Sequence, residues 1–461
     1  MDEIDKLRKE IIESETFCFY PFLELSTNPM GYFKPCCYYQ GYLYKKLDSY
    51  DNERSDEIYS LNGGDNFDDV WNGEVIKSVR NALYDGQKID PCKICRRDGA
   101  ASMRVRSINE YKNNRKVLEH VYDVIQNDGY SNNPPSRLEL KPSNLCNLKC
   151  RMCNRYDSSQ IEKELFDLAE KYGGIQTRSG RFEFIDSSKN GGVWEKHFQF
   201  NDIESSDWSN NQDVLSDIKK IIPYLDVLSF AGGEPTIIPM VSEILKYCVD
   251  HNYASNITVF ISSNFTNLNR EFLSLMDKFK KFELIASIDG IDDVQEYCRF
   301  PSKWPKISQN FIDAKSRMIY PNVKILTNIT VNLLNVINLT DLLWWIEERS
   351  DEYPYFNEWP YNLNVLLHPH EMMITNLPPK GREIAIERLT HYLKHSNILT
   401  QFPGLDSKIR LVIDQLQTPW GDEQIKNIVD FNKKTEILDK HRQISLSEKI
   451  PELHFVIKDI D

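Results

Sequence analysis

The chain of 461 residues has a formal net charge of −13, 41% hydrophobic residues and 10 cysteines. No apolar run approaches the ~20 residues of a membrane-spanning helix, and the acidic balance argues against general binding to a nucleic-acid backbone. Its cysteines are too sparse for a disulfide scaffold and follow a start, MDEIDKLRKEII, charged from its second residue, which together predict reduced thiols and a cytoplasmic location.

This length predicts two or three folding units. After a charged helical start, residues 17–41, FCFYPFLELSTNPMGYFKPCCYYQG, predict a hairpin in which FLELS alternates, NPMG turns and YFKPCC returns. Cys18 precedes the first strand, Cys36 and Cys37 end the second, and Cys92 and Cys95 follow at C-x2-C spacing. Four thiolates from this set suit an iron-sulfur cluster or a zinc ribbon, and spacing does not separate the two. In NFDDVWNGEVIKSVRNALYDG, residues Val70, Trp71, Val75, Ile76, Val79 and Leu83 recur at helical spacing. That predicts a packing helix with Trp71 in the core rather than in a substrate platform. A further amphipathic helix from Met103 to about Ile125 leads to SNNPPS, the boundary of an N-terminal domain, residues 1–130.

Residues 131–376 alternate strand-like and helix-like segments, the pattern of a parallel α/β sheet. Candidate strands are 137–141, 226–231, 257–262, 283–288, 323–331 and 363–367. Six such strands predict an open (β/α)6 barrel with reactive groups on the loops leaving their C-terminal ends. The first of those loops, NLCNLKCRMCN, holds Cys146, Cys150 and Cys153 at C-x3-C-x2-C spacing. Three thiolates on a four-iron cube leave one iron open for a chelating molecule, whereas a closed zinc site takes four ligands. After the second strand comes FAGGEPTII, where Gly232 and Gly233 permit close backbone approach and Glu234 supplies a carboxylate; a plain turn with a helix cap reads the same. Strand three ends in Ser263 and Asn264, strand four in Ser287 and Asp289, and Arg299 follows ten residues later.

On strand five, Thr330 and Asn332 form a polar face, and Asn335 is expected to cap the helix starting near Leu339. His368 and His370 are too few for a metal site and read as loop or substrate-facing groups; Cys248 reads as buried. Residues 171–212 form a long polar insertion carrying Phe182, Phe184, Trp194, Phe198, Phe200 and Trp208. Such an insertion is expected to cover the barrel mouth and help choose substrate. Residues 377–461 are patterned as helices without a reactive cluster, expected to close the barrel or touch the N-terminal domain.

The cysteine triplet, the GGEP stretch after the second strand and the SxDG stretch after the fourth resemble the radical S-adenosylmethionine (SAM) superfamily. The resemblance implies a 4Fe-4S cluster on Cys146, Cys150 and Cys153 with SAM on its open iron. Gly232, Gly233 and Glu234 then hold the SAM amino group. Ser263 and Asn264 match a TNG-like stretch, with Phe265 where glycine is common; Ser287 and Asp289 contact ribose or carboxylate, and Arg299 pairs with the carboxylate. Cys298, on the same side, is a candidate hydrogen donor.

The run from Cys18 through Lys34-Pro35-Cys36-Cys37 and Trp71-Asn72 to Cys92-x2-Cys95, Gly99, Ser102 and Arg104 resembles the twitch domain, a short SPASM relative. It precedes the core, as in N-terminal twitch radical SAM proteins. This implies an auxiliary 4Fe-4S cluster on Cys18, Cys36, Cys92 and Cys95, closed by four thiolates and suited to electron relay. The expected enzyme takes an electron from flavodoxin or ferredoxin, cleaves SAM to a 5′-deoxyadenosyl radical and abstracts hydrogen from a substrate. A ribosomally made peptide is the first substrate expected; a small sugar, nucleoside or lipid-linked metabolite is the second. A non-catalytic zinc-stabilised binding scaffold is the rival of another class.

Overall fold

The computed structural model describes residues 2–45, 58–97, 99, 102–172, 175–176, 182–183, 207–349 and 359–460. The expected cover over the barrel mouth falls largely on residues outside this set. In chain order the strands are β1 (Glu24–Thr27), β2 (Phe33–Lys34), β3 (Arg137–Leu140), β4 (Ile175–Gln176), β5 (Phe182–Glu183), β6 (Val227–Phe230), β7 (Thr258–Ser263), β8 (Lys281–Ser287), β9 (Val323–Val331) and β10 (Tyr361–Val365). The chain divides into two compact units. One comprises Met1–Asn144, Phe200–Phe260 and Lys278–Lys280, the other Leu145–Gln199, Ile261–Asp277 and Lys281–Asp461.

In the first unit the strand order is β2-β1-β3-β6, followed by the opening residues of β7. β1 pairs antiparallel with β2 (Ser26 opposite Lys34) and parallel with β3 (Leu25 opposite Leu138), and β3 pairs parallel with β6. The expected hairpin forms, closed by a turn in which Gly31 takes φ +79° and Tyr32 N donates to Asn28 Oδ1 at 2.9 Å. Its first strand starts later than the alternation of FLELS suggests. Phe22 and Leu23 lie in a short helix, Tyr20–Leu23, with Pro21 in its first turn. The remaining strand is buried along its length because it is flanked on both sides.

The helix expected from Met103 to about Ile125 is two helices, Met103–Tyr111 and Arg115–Gln126. Asn114 ends the run by accepting from Val117 N at 3.3 Å, so a polar cap wins over continued amphipathic periodicity. Trp71 is a core residue as expected. The buried Arg80 guanidinium lies 4.2 Å from its ring and donates to the carbonyls of Pro21 and Gly129 at 2.8 and 2.7 Å.

In the second unit β10, β9 and β8 are parallel neighbours, followed by the closing residues of β7. β9 alternates buried and half-buried positions along all nine residues, so one face packs inward while Thr330 lies on the other. Helices Asp292–Cys298, Trp304–Lys315 and Leu339–Glu348 separate the strands. The parallel strands β3 and β6 to β10 succeed one another in chain order, which is the mostly parallel α/β fold of a partial (β/α)6 barrel. The C-terminal segment is helical, with Pro379–His395, Leu405–Leu416, Asp422–Arg442 and Pro451–Ile457 its main helices.

Just past β7, Phe265 occupies the left-handed region at φ +60°. Glycine would sit there without strain, yet the phenylalanine ring is fully buried 5.9 Å from the ring of Phe311. Its carbonyl accepts from Asn310 Nδ2 at 2.7 Å. The left-handed conformation costs a side chain about 1–2 kcal/mol, whereas deleting a buried phenylalanine costs about 3–5 kcal/mol. Phe265→Gly is therefore expected to lower the unfolding free energy by about 2 kcal/mol in urea titration; a more stable variant would show that backbone strain dominates.

Candidate active site

The cysteine loop is pinned by its own backbone and by the segment after helix Asp292–Cys298. Cys146 N donates to Ser159 Oγ at 3.2 Å, and Ser158 Oγ donates to Leu148 O at 2.7 Å. Lys149 N and Arg151 N donate to Phe300 O and Cys298 O at 2.6 and 2.9 Å. Cys146, Leu148 and Cys150 are buried together, with Met152 and Cys153 packed against them. Leu148 N approaches Cys146 Sγ at 3.5 Å. Burial pushes the Cys150 thiol up, and the Arg299 guanidinium, with Nη1 at 3.9 Å from Cys150 Sγ, opposes that rise. A thiol held this way gives up its proton when a positive centre binds it.

Arg299 is neither a solvated helix charge nor an isolated cation. Its Nε donates to Asp289 Oδ2 at 2.7 Å while Nη1 reaches Cys150, so the guanidinium joins the SxDG stretch to the cysteine loop. Asp289 is fully buried, and its Oδ1 accepts from Thr330 N at 2.8 Å. Asn335, expected as a helix cap, is instead a buried cross-link. It donates to the carbonyls of Asp289 and Thr330 and accepts from Asn332 N, while Asn338 holds the N-cap position of helix Leu339–Glu348.

Ser263 Oγ accepts from Phe265 N at 3.0 Å, and Asn264 Nδ2 donates to Asn147 Oδ1 at 2.9 Å, tying the end of β7 to the cysteine loop. Ser287 closes β8 half-buried. Cys298 is fully buried, and its carbonyl serves the cysteine loop. His368 and His370 meet edge to face, 4.3 Å between ring centroids.

In the first unit, Gly232 and Gly233 take φ +74° and +52°, and a Cβ on Gly232 would lie 2.8 Å from Lys141 Cβ. Both the dihedral and the close approach demand glycine at 232. Glu234 is buried and accepts from Thr236 N and Oγ1 at 3.1 and 2.6 Å, capping its own short helix. Cys248 is fully buried in helix Pro239–Asp250.

The same unit places Cys18, Cys36, Cys92 and Cys95 around one cavity, with Tyr20, Tyr39 and Met103 among its walls. Burial pushes the Cys18 thiol up to about 11 and the Cys92 thiol up to about 12. Cys37 lies apart from that cavity wall. Its sulfur and the carboxylates of Glu24 and Glu139 lie within 4.8 Å of one another, and its carbonyl accepts from Lys34 Nζ at 3.2 Å. Neither expected cysteine set, all of it among the described residues, brings three sulfurs within 4.8 Å of one another.

Sequence reading missed the contribution of helix Asp422–Arg442. Arg442 Nε and Nη2 donate to the buried Glu164 at 2.9 and 2.5 Å, and Arg151 pairs with Asp439. Tyr297 OH donates to the same Asp439 at 2.8 Å. With Cys150 and Cys153, these arginines line a cavity that Met372 and Phe431 also border. The sequence holds only a weak signal, one of several acidic residues in the amphipathic helix Ser159–Tyr172 and basic residues in a last turn, where solvated charges are the ordinary finding. Burial raises the Glu164 carboxyl, but Arg442, Lys149 and His441 outweigh it and hold the pKa below its usual 4.5. A depressed carboxylate contributes stability above its unfolded pKa and loses it as pH falls. The stability gap between the parent and Glu164→Gln, measured by urea unfolding, is expected to be full at neutral pH and to shrink as pH falls below about 4.5.

No curated protein matches the chain. Residues 140–334 match the family model described as the Radical SAM superfamily. Among solved structures, native anSMEcpe with bound AdoMet aligns at 15% identity and TM-score 0.37, covering 58% of this chain and 62% of that one. SuiB of Streptococcus suis bound to S-adenosylmethionine aligns at 12% identity and TM-score 0.33, covering 65% and 55%. The same enzyme bound to precursor peptide SuiA aligns at 15% and 0.31, covering 66% and 54%. The chain thus spans less than two thirds of the length of these structures.

Proposed function

From a chain that carries a radical SAM domain across residues 140–334, we propose an enzyme that reductively cleaves SAM and abstracts a hydrogen atom from its substrate. The observation that carries this reading is the clustering of buried Cys146 and Cys150 with half-buried Cys153 in one loop, with the Arg299 guanidinium against Cys150. Members of this superfamily use a 4Fe-4S cluster and SAM, and three clustered thiols beside a cation fit an anionic cluster with one corner left for SAM. Held by Cys146, Cys150 and Cys153, such a cluster would supply the one-electron reduction of the SAM sulfonium that yields methionine and a 5′-deoxyadenosyl radical.

The protein's own part is to orient and to exclude water. Gly232 and Gly233 bring backbone close and Glu234 supplies the carboxylate for the SAM amino group. Ser263, Asn264 and Ser287 are the groups for the ribose side, while Asp289 acts by fixing Arg299, whose charge faces the thiols and the SAM carboxylate. In the other unit, Cys18, Cys36, Cys92 and Cys95 hold an auxiliary 4Fe-4S cluster that relays electrons, in a twitch-like domain. Flavodoxin or ferredoxin supplies the electron. The substrate class we propose is a ribosomally made peptide, from the resemblance of the N-terminal cysteines to twitch and SPASM domains.

Anoxically reconstituted protein is expected to be brown, to contain inorganic sulfide and to release 5′-deoxyadenosine from SAM under dithionite. The triple variant C146A/C150A/C153A should retain the N-terminal iron and release none. A colourless zinc protein, or a loaded parent that never yields deoxyadenosine, would sink the proposal. For the auxiliary site, Cys36→Ala is expected to lose about four iron atoms per chain and Cys37→Ala none; the reverse result would exchange the two assignments.

A further inference from the structure

We infer that Arg442, which lies outside the family-matched residues, is a positioning residue for the cluster site: its guanidinium sets the potential at which a cluster held by Cys150 and its partners accepts an electron. The inference rests on the radical SAM reading above. Arg442 ends helix Asp422–Arg442 with its side chain turned inward and only 1% exposed. Two of its nitrogens serve Glu164, but Nη1 is buried with no hydrogen-bond partner among the described residues.

An unmatched N–H on a buried charged group costs more than one on a neutral group, so a partner is expected to complete it. Arg442 lines the same cavity as Cys150 and Cys153. Arg151 lines that cavity too, and its Nε is likewise buried and without a partner among the described residues. Its Nη2 is taken by Asp439. Two incomplete guanidinium groups therefore border a space walled by two of the three thiols; Glu371 and Thr435 border it too, but Glu371 accepts from Lys434 and neither reaches the unmatched nitrogens.

Sulfur atoms of an anionic cluster supply that acceptor. Hydrogen bonds to cluster sulfur and nearby charge are among the terms that set a cluster's potential. Taking up one electron from a one-electron donor adds one negative charge at the site and oxidises the donor by one, with no bond formed or broken. A fixed cation at the cavity wall stabilises the reduced form more than the oxidised one. Glu164 acts in the opposite sense through Arg442, since it draws the guanidinium away and offsets its charge.

The test is a redox titration of the reconstituted full-length protein without SAM, followed by the electron paramagnetic resonance signal of the cluster that disappears in C146A/C150A/C153A. Arg442→Gln is expected to lower the midpoint by about 59 mV, a tenfold loss in the one-electron reduction equilibrium. Glu164→Gln is expected to raise it, and Arg442→Lys to stay near the parent. Should Arg442→Gln fail to load iron, the double variant E164Q/R442Q, which leaves no unpaired charge, is expected to bring the midpoint below that of Glu164→Gln alone. Unshifted midpoints, or shifts of one sign in both single variants, would overturn the role of Arg442 while leaving the radical SAM reading intact. A parent with no such signal would instead remove that reading.

Discussion

Everything at the candidate active site turns on keeping sulfur charge out of water. A buried thiol resists ionisation because a low-dielectric surrounding penalises the anion, and Cys150 and Cys153 are both pushed up by burial. The loop becomes a ligand set only if cations stand ready to balance what the metal does not. Arg299 meets that need at 3.9 Å from Cys150 Sγ. Because a free cation would itself be costly to bury, Asp289 holds it in place.

The same logic repeats outward. Arg442 is buried against Glu164, and Arg151 against Asp439 with the Tyr297 ring 4.0 Å from its guanidinium. Buried pairs of this kind are weak contributors to stability, since desolvation consumes most of the Coulomb gain. Their presence in numbers around a thiol loop is better explained by charge placement than by folding energy. In the first unit the four cavity cysteines share a cavity with Tyr20, Tyr39 and Leu83 and with Arg96 and Arg104, whereas Cys37 sits among Glu24, Glu139 and Lys34. Two adjacent cysteines thus occupy different electrostatic environments, which separates a candidate ligand from its neighbour.

Much of the architecture was legible in local patterns. The six core strands fall within two residues of their expected ends because apolar runs bounded by polar turns leave little freedom of register. The breaks came where one polar side chain outbid a periodic pattern. Asn114 splits a helix whose apolar spacing continues through it, and Pro21 draws Phe22 and Leu23 into a helical turn ahead of β1. Asn335 was misread because an asparagine before a helix normally caps it, while here the strand end and Asp289 compete for the same amide and win.

From the residues alone came the cysteine spacings, the glycine pair and the parallel α/β order, since each depends on chemistry carried by neighbours in the chain. Only the folded chain decided which cysteine of the 36–37 pair faces the other thiols, and that Arg299 bridges Asp289 to Cys150. It alone also brought a glutamate and an arginine 278 positions apart into one buried pair beside the cysteine loop. Side-chain direction and long-range pairing depend on which surfaces exclude water together, and no local pattern encodes that.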